Sequence, residues 1–114
     1  MKTFRSIVGL LMLAILLTSC SHFQETSFGP YSDAEKLYQS GKYEKAIEKY
    51  QEYLGTNPQG NMAAIAEYYT GKSYAALSKP EEAKVAFQRV IERYPDTSWA
   101  DFSKTQLDNL GAAK

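Results

Sequence analysis

The sequence predicts an all-α protein, a short solenoid of two helical hairpins closed by a C-terminal capping helix and placed after an N-terminal leader. Three observations carry this. An apolar run from Ile7 to Leu17 ends shortly before the single cysteine, Cys20. The rest of the chain resembles itself when shifted by 37 residues. Within each copy the apolar residues recur every three or four positions, the one-face stripe of an amphipathic helix. No stretch alternates apolar and polar residues for long enough to suggest a sheet.

The leader comes first. Lys2 and Arg5 precede the apolar run, which has the charged start and short core of a secretory signal. At ~1.5 Å per residue a helix of that length crosses only roughly half of a ~30 Å hydrocarbon layer, so a permanent span is the weaker reading. Leu17-Thr18-Ser19-Cys20 resembles the bacterial lipobox, in which small residues precede an invariant cysteine. That resemblance implies cleavage before Cys20, with diacylglycerol on its sulfur and an acyl chain on its new N-terminus. Several acyl chains anchor stably where a single one is marginal. Ser21 after the cysteine is similar to the class sorted to an outer membrane. The expected organisation is a signal peptide over 1–19, a lipidated tether over 20–30, a helical domain over 31–110 and a tail over 111–114. His22 reads as a solvated tether residue.

The repeat sets the helices. Ala34 falls on Gly71, Leu37 on Tyr74, Gly41 on Ser78, Ala46 on Ala83, Tyr50 on Phe87 and Pro58 on Pro95. A partial third copy places Met62 on Trp99 and Ala63 on Ala100. Five helices are expected, over 32–40, 42–55, 61–77, 80–94 and 98–110. Ser32 and Glu35 have the spacing of a capping box. Ser40-Gly41 reads as a stop, Asn61 as an N-cap, and Pro80 as a first helical residue whose missing N–H costs nothing. Pro95 ends the fourth helix, and Ser98 with Asp101 opens the last.

Two helices per unit, with small residues at two fixed places and an aromatic between them, resemble the tetratricopeptide repeat (TPR). In the second copy the resemblance rests on Gly71, Tyr74, Ala83, Phe87 and Pro95, and in the first on Ala34, Leu37, Gly41, Tyr43, Ala46, Tyr50 and Pro58. Gly71 and Ala83 are expected where two helices approach closely, with Tyr74 and Phe87 filling the space between. The longer period and the stretch Arg93 to Ala100 look like bacterial envelope repeat proteins similar to the Tol–Pal-associated periplasmic protein and the outer-membrane barrel-assembly lipoprotein. In the third copy Asp108 stands where Gly71 does, which suggests a polar-faced cap in place of a further repeat.

Composition excludes several classes. Lys2 and Arg5 fall in the leader, so 11 of the 13 basic residues face 13 acidic ones in the remainder. No basic cluster for nucleic acid or anionic lipid follows from that. One cysteine allows no intramolecular disulfide. There is no cysteine–histidine pair and no glycine-rich phosphate loop, so neither an enzyme nor a bound metal or cofactor is expected beyond the lipid on Cys20. Glu81-Glu82 reads as first-turn charge complementing a helix dipole.

The resemblance also implies a concave groove, formed by the first helix of each unit, that binds protein partners. The matching positions are Tyr31, Glu35 and Tyr38 in the first unit, and Tyr68, Lys72 and Ala75 in the second. The same tyrosines could instead pack against the cap, where Trp99 reads as the apolar anchor. The function expected is that of a lipid-anchored adaptor recruiting a protein partner in the bacterial envelope, facing the periplasm from the outer membrane. The alternative is a permanent structural subunit of a membrane-associated secretion, export or electron-transfer complex. About three repeats are usually needed for a stable solenoid, so homo-oligomerisation or partner binding is expected to add stability.

Overall fold

The computed structural model describes residues 29–112. The leader, Cys20, His22 and most of the expected tether lie outside them. Five helices follow in order: α1 (Gly29–Gln39), α2 (Tyr43–Thr56), α3 (Asn61–Ala76), α4 (Pro80–Arg93) and α5 (Ser98–Ala112). Among the described residues there is no strand. Each helix packs on the next, and α3 also touches α5. This is a short TPR-like solenoid, with the odd-numbered helices in one layer and the even-numbered ones in the other.

The 37-residue period is kept by the backbone. α2 and α4 are both 14 residues long and start 37 residues apart, as do α3 and α5. The turns inside the hairpins repeat as well. The Lys42 N–H donates to the Leu37 carbonyl at 2.9 Å and the Gly41 N–H to Tyr38 at 3.0 Å. In the second unit Lys79 donates to Tyr74 at 2.9 Å and Ser78 to Ala75 at 3.0 Å. Both are Schellman closures, which require a left-handed residue after the helix. Gly41 supplies it at φ +74, and Ser78 supplies it at φ +58 despite its side chain.

Two local expectations are corrected. α1 begins at Gly29, three residues before Ser32, so Ser32 lies inside the helix and cannot cap it. Pro30 in the first turn starts the helix without needing a donor, and the Glu35 carboxylate accepts from the Tyr31 hydroxyl at 3.2 Å instead. Gly29 and Pro30 therefore belong to the domain and not to a tether. At the second site Asn61 is the first helical residue. Gly60, at φ +92, holds the cap position, with no side-chain hydrogen bond closing it. Pro80 opens α4 as expected, with Glu81 and Glu82 exposed in its first turn. α5 runs to Ala112, two residues past the expected end.

The core follows the register. Tyr50 in the first unit and Phe87 in the second are the largest fully buried side chains. Around Tyr50 gather Tyr31, Ala34, Ala46 and Ala66, and around Phe87 gather Ala63, Ala64, Tyr68, Ala83 and Val90. The small residues are placed where backbones must approach. Tyr94 ties the two inter-unit turns together, its hydroxyl donating to the Pro58 carbonyl at 2.7 Å.

α5 ends the stack. Glu67, Gly71 and Tyr74 are among the α3 residues that meet α4. Their counterparts 37 positions on are Lys104, Asp108 and Gly111, all exposed, with Lys104 paired to Asp101 at 3.3 Å. The inward side of α5 is apolar, with Ala100 buried and Trp99, Leu107 and Leu110 packed on the Phe87 cluster. The cap therefore has one polar and one apolar face, as the register predicts.

Candidate functional site

The odd-numbered helices bring a row of rings together. Tyr38 on α1 meets Tyr69 on α3 edge-on, centroids 4.9 Å apart. Tyr69 lies 6.2 Å from Trp99 on α5, and Trp99 lies 5.5 Å from Phe102. Tyr68 sits beneath, 5.2 Å from Trp99 and 6.3 Å from Phe102. Edge-on and tilted aromatic pairs at these separations are favourable beyond their area, by about 0.5–1.5 kcal/mol each. Tyr38, Tyr69 and Trp99 are half-buried, while Phe102 is 48% exposed. The row runs across all three helices of one layer and is open to solvent at its α5 end.

The six groove positions read from the sequence divide into two sets. Tyr31 and Tyr68 are buried, Tyr31 against Tyr50 and Tyr53 and Tyr68 beneath the capping helix. Tyr38, Lys72 and Ala75 are half-buried and Glu35 is exposed, so these four reach solvent. Burial first, and Glu35 second, push the Tyr31 phenol far above its usual range. Burial also raises the Tyr38 and Tyr68 phenols. These phenols stay protonated and present neutral hydroxyls.

Three members of the row, Tyr69, Trp99 and Phe102, are not among the groove positions drawn from the sequence, where Trp99 reads as the anchor of the cap. Tyr69 adjoins Tyr68, and a helical period of 3.6 lets either of two neighbours take the face. The signal for Phe102 is its register, 37 residues after Ile65 on the same layer. Glu67 is a further addition. It is buried between α3 and α4 and accepts from the half-exposed Arg89 guanidinium at 3.2 Å. Burial raises the Glu67 carboxyl, against the lowering effect of Arg89 and Arg93. Among the described residues no three histidine, cysteine or acidic side chains gather as a metal site would need.

No curated protein matches the chain. Residues 66–97, from the first turns of α3 through α4 and into the turn beyond, match the family model described as the tetratricopeptide repeat, whose units are protein-interaction scaffolds.

Proposed function

We propose that this chain is a lipid-anchored TPR adaptor of the bacterial cell envelope, which holds a protein partner on its odd-helix layer close to a membrane. The observation that carries the adaptor half is the row of rings from Tyr38 to Phe102, laid across three helices of a repeat scaffold. The leader supports the anchor half, because its basic start, apolar run, small residues and Cys20 fall in lipobox order. The envelope, the outer membrane and a periplasmic orientation follow from that resemblance.

A recruited partner fits better than a permanent neighbour. Val85 and Phe102 are the exposed large hydrophobic side chains among the described residues, and they lie on different helices. A subunit built permanently into a complex exposes a larger continuous apolar patch when alone.

Two measurements test the two halves. Cys20→Ala should leave the fold intact by circular dichroism and move the protein from the membrane fraction to the soluble fraction. Full retention at the membrane would instead indicate a retained signal anchor or a tight membrane partner. A photo-crosslinking residue at Tyr38 should give a discrete adduct in cells, while the same residue at exposed Gln88 on α4 should give none. Equal adducts from both layers would remove the groove assignment.

A further inference from the structure

The charges on this protein are unevenly placed. Surface ion pairs stand on α2 (Lys49 with Glu52), α4 (Lys84 with Glu81) and α5 (Lys104 with Asp101). α3 has 16 residues and only two charges, Glu67, which is buried, and Lys72. Among the described residues, Lys72 on α3 and Glu35 on α1 flank the row and reach solvent, and on α5 the exposed Asp101 and Lys104 beside Phe102 are paired with each other at 3.3 Å. The stripe of α5 that continues from Phe102 holds Asn109, exposed and uncharged, seven residues on and so on the same face.

We propose that the partner is an extended, uncharged peptide segment with an aromatic or large aliphatic side chain that seats on Phe102 and Trp99, at the α5 end of the row. This rests on the adaptor reading and names the chemistry of its partner. Carboxylates are recognised by guanidinium forks or by several cations acting together. One ammonium group with a carboxylate on the neighbouring helix is neither. An acidic or basic segment laid on the rings would lose its hydration with no counter-charge to replace it. An apolar side chain loses nothing there and covers a phenyl ring that is 48% exposed. The neutral groups beside the rings, the Tyr38 hydroxyl and the Asn109 amide, can donate to and accept from a peptide backbone.

The test is selection of random twelve-residue peptides, displayed both internally and with a free C-terminus, on the protein purified in detergent and immobilised by a C-terminal tag. Enrichment of peptides with net charge near zero and an aromatic or aliphatic residue is expected, in both display formats. The best peptide, labelled and followed by fluorescence anisotropy, should bind Phe102→Ser about tenfold more weakly, the loss of one anchoring side chain. Phe102 is half-exposed, so this variant keeps the helical spectrum of the parent. Binding to Lys72→Ala should stay within about twofold of the parent, since a change below ~0.4 kcal/mol is expected where no carboxylate is gripped. Enrichment of acidic peptides that require Lys72 or a free C-terminus would overturn this inference and leave the adaptor reading standing. No enrichment in either format would overturn both.

Discussion

Gly71 on α3 lies directly against the ring of Phe87 on α4. A Cβ at Gly71 would stand 2.7 Å from the Phe87 Cε1 and 2.9 Å from its Cδ1. Phe87 is fully buried, so its ring has no free space to move into. Gly71→Ala is therefore expected to destabilise the domain even though alanine is the better helix former. Overpacking costs ~1–3 kcal/mol and the propensity gain returns ~1, leaving a net loss of up to about 2 kcal/mol. Thermal unfolding followed by circular dichroism measures it, and an unchanged or raised midpoint would show that the helices can separate without cost. Adding Phe87→Leu should recover part of the loss, since it removes the atoms that clash.

Ser78 occupies, at φ +58, the turn position that Gly41 occupies at φ +74 one repeat earlier. An L side chain in that conformation costs ~1 kcal/mol, and glycine avoids it. Ser78→Gly should raise stability by about 0.5–1 kcal/mol in urea unfolding with no change in slope. Gly41→Ala should lower it by a similar amount. A neutral result at both positions would mean that the Schellman closures contribute little.

The Glu67 carboxyl is raised above its ordinary value, because burial disfavours its charged form more than Arg89 and Arg93 favour it. The groups facing it are Arg89 and Arg93 on α4 and Tyr94 in the turn beyond. A carboxyl whose folded value lies above its unfolded value binds protons more readily when folded. Its contribution is complete below the unfolded value and is lost as pH rises through the folded one. Glu67→Gln should therefore gain relative to the parent on going from acid to neutral pH, and its stability should vary less across that range. Arg89→Ala leaves the carboxylate buried without its hydrogen bond and should cost about 1–3 kcal/mol at neutral pH, and less in acid. Parallel pH profiles for all three proteins would show that the pair is immaterial.

Tyr94 and Ser103 are a contrasting pair of buried hydroxyls. The Tyr94 hydroxyl donates to Pro58 at 2.7 Å and joins the turns between units. Tyr94→Phe should cost about 0.5–1.5 kcal/mol, the net worth of one such bond.

The Ser103 hydroxyl is fully buried in α5 and, among the described residues, has no hydrogen-bond partner. Ser103→Ala should be neutral or stabilising, because it removes an unsatisfied polar group and improves helix propensity. A loss above about 1 kcal/mol in urea unfolding would mean that the hydroxyl has a partner after all.

Much of this fold was legible in the sequence because the 37-residue shift applies to packing and turns together. A residue such as Ala46 or Phe87 is constrained by its own helix and again by its counterpart, so five helices and both core clusters follow from the pattern. The helix starts were less legible. Ser32 and Asn61 have capping chemistry, but the chain enters α1 through Gly29-Pro30 and α3 through Gly60, and backbone conformation outweighed side-chain preference. The groove was legible in part. The repeat register puts the six positions on α1 and α3, but it does not say how α5 packs over α3. That packing buries Tyr68 and leaves Phe102 as the open ring. Arg89 also gave little signal in the sequence, since nothing near it marks a charge that reaches across to a buried Glu67.

The exposed Lys104, Asp108 and Gly111 on α5 bear on how such a chain could change length. A helical hairpin copied into the gene between α2 and α3 would find the same small residues and rings on both sides and could join the stack. The same hairpin appended after Ala112 would meet the Lys104 ammonium where it needs a carboxylate, the Asp108 carboxylate where it needs a glycine, and Gly111 where it needs an aromatic. Growth of this array is open in the middle and closed at its C-terminal edge, so longer descendants would arise by internal duplication and keep α5 as their last helix.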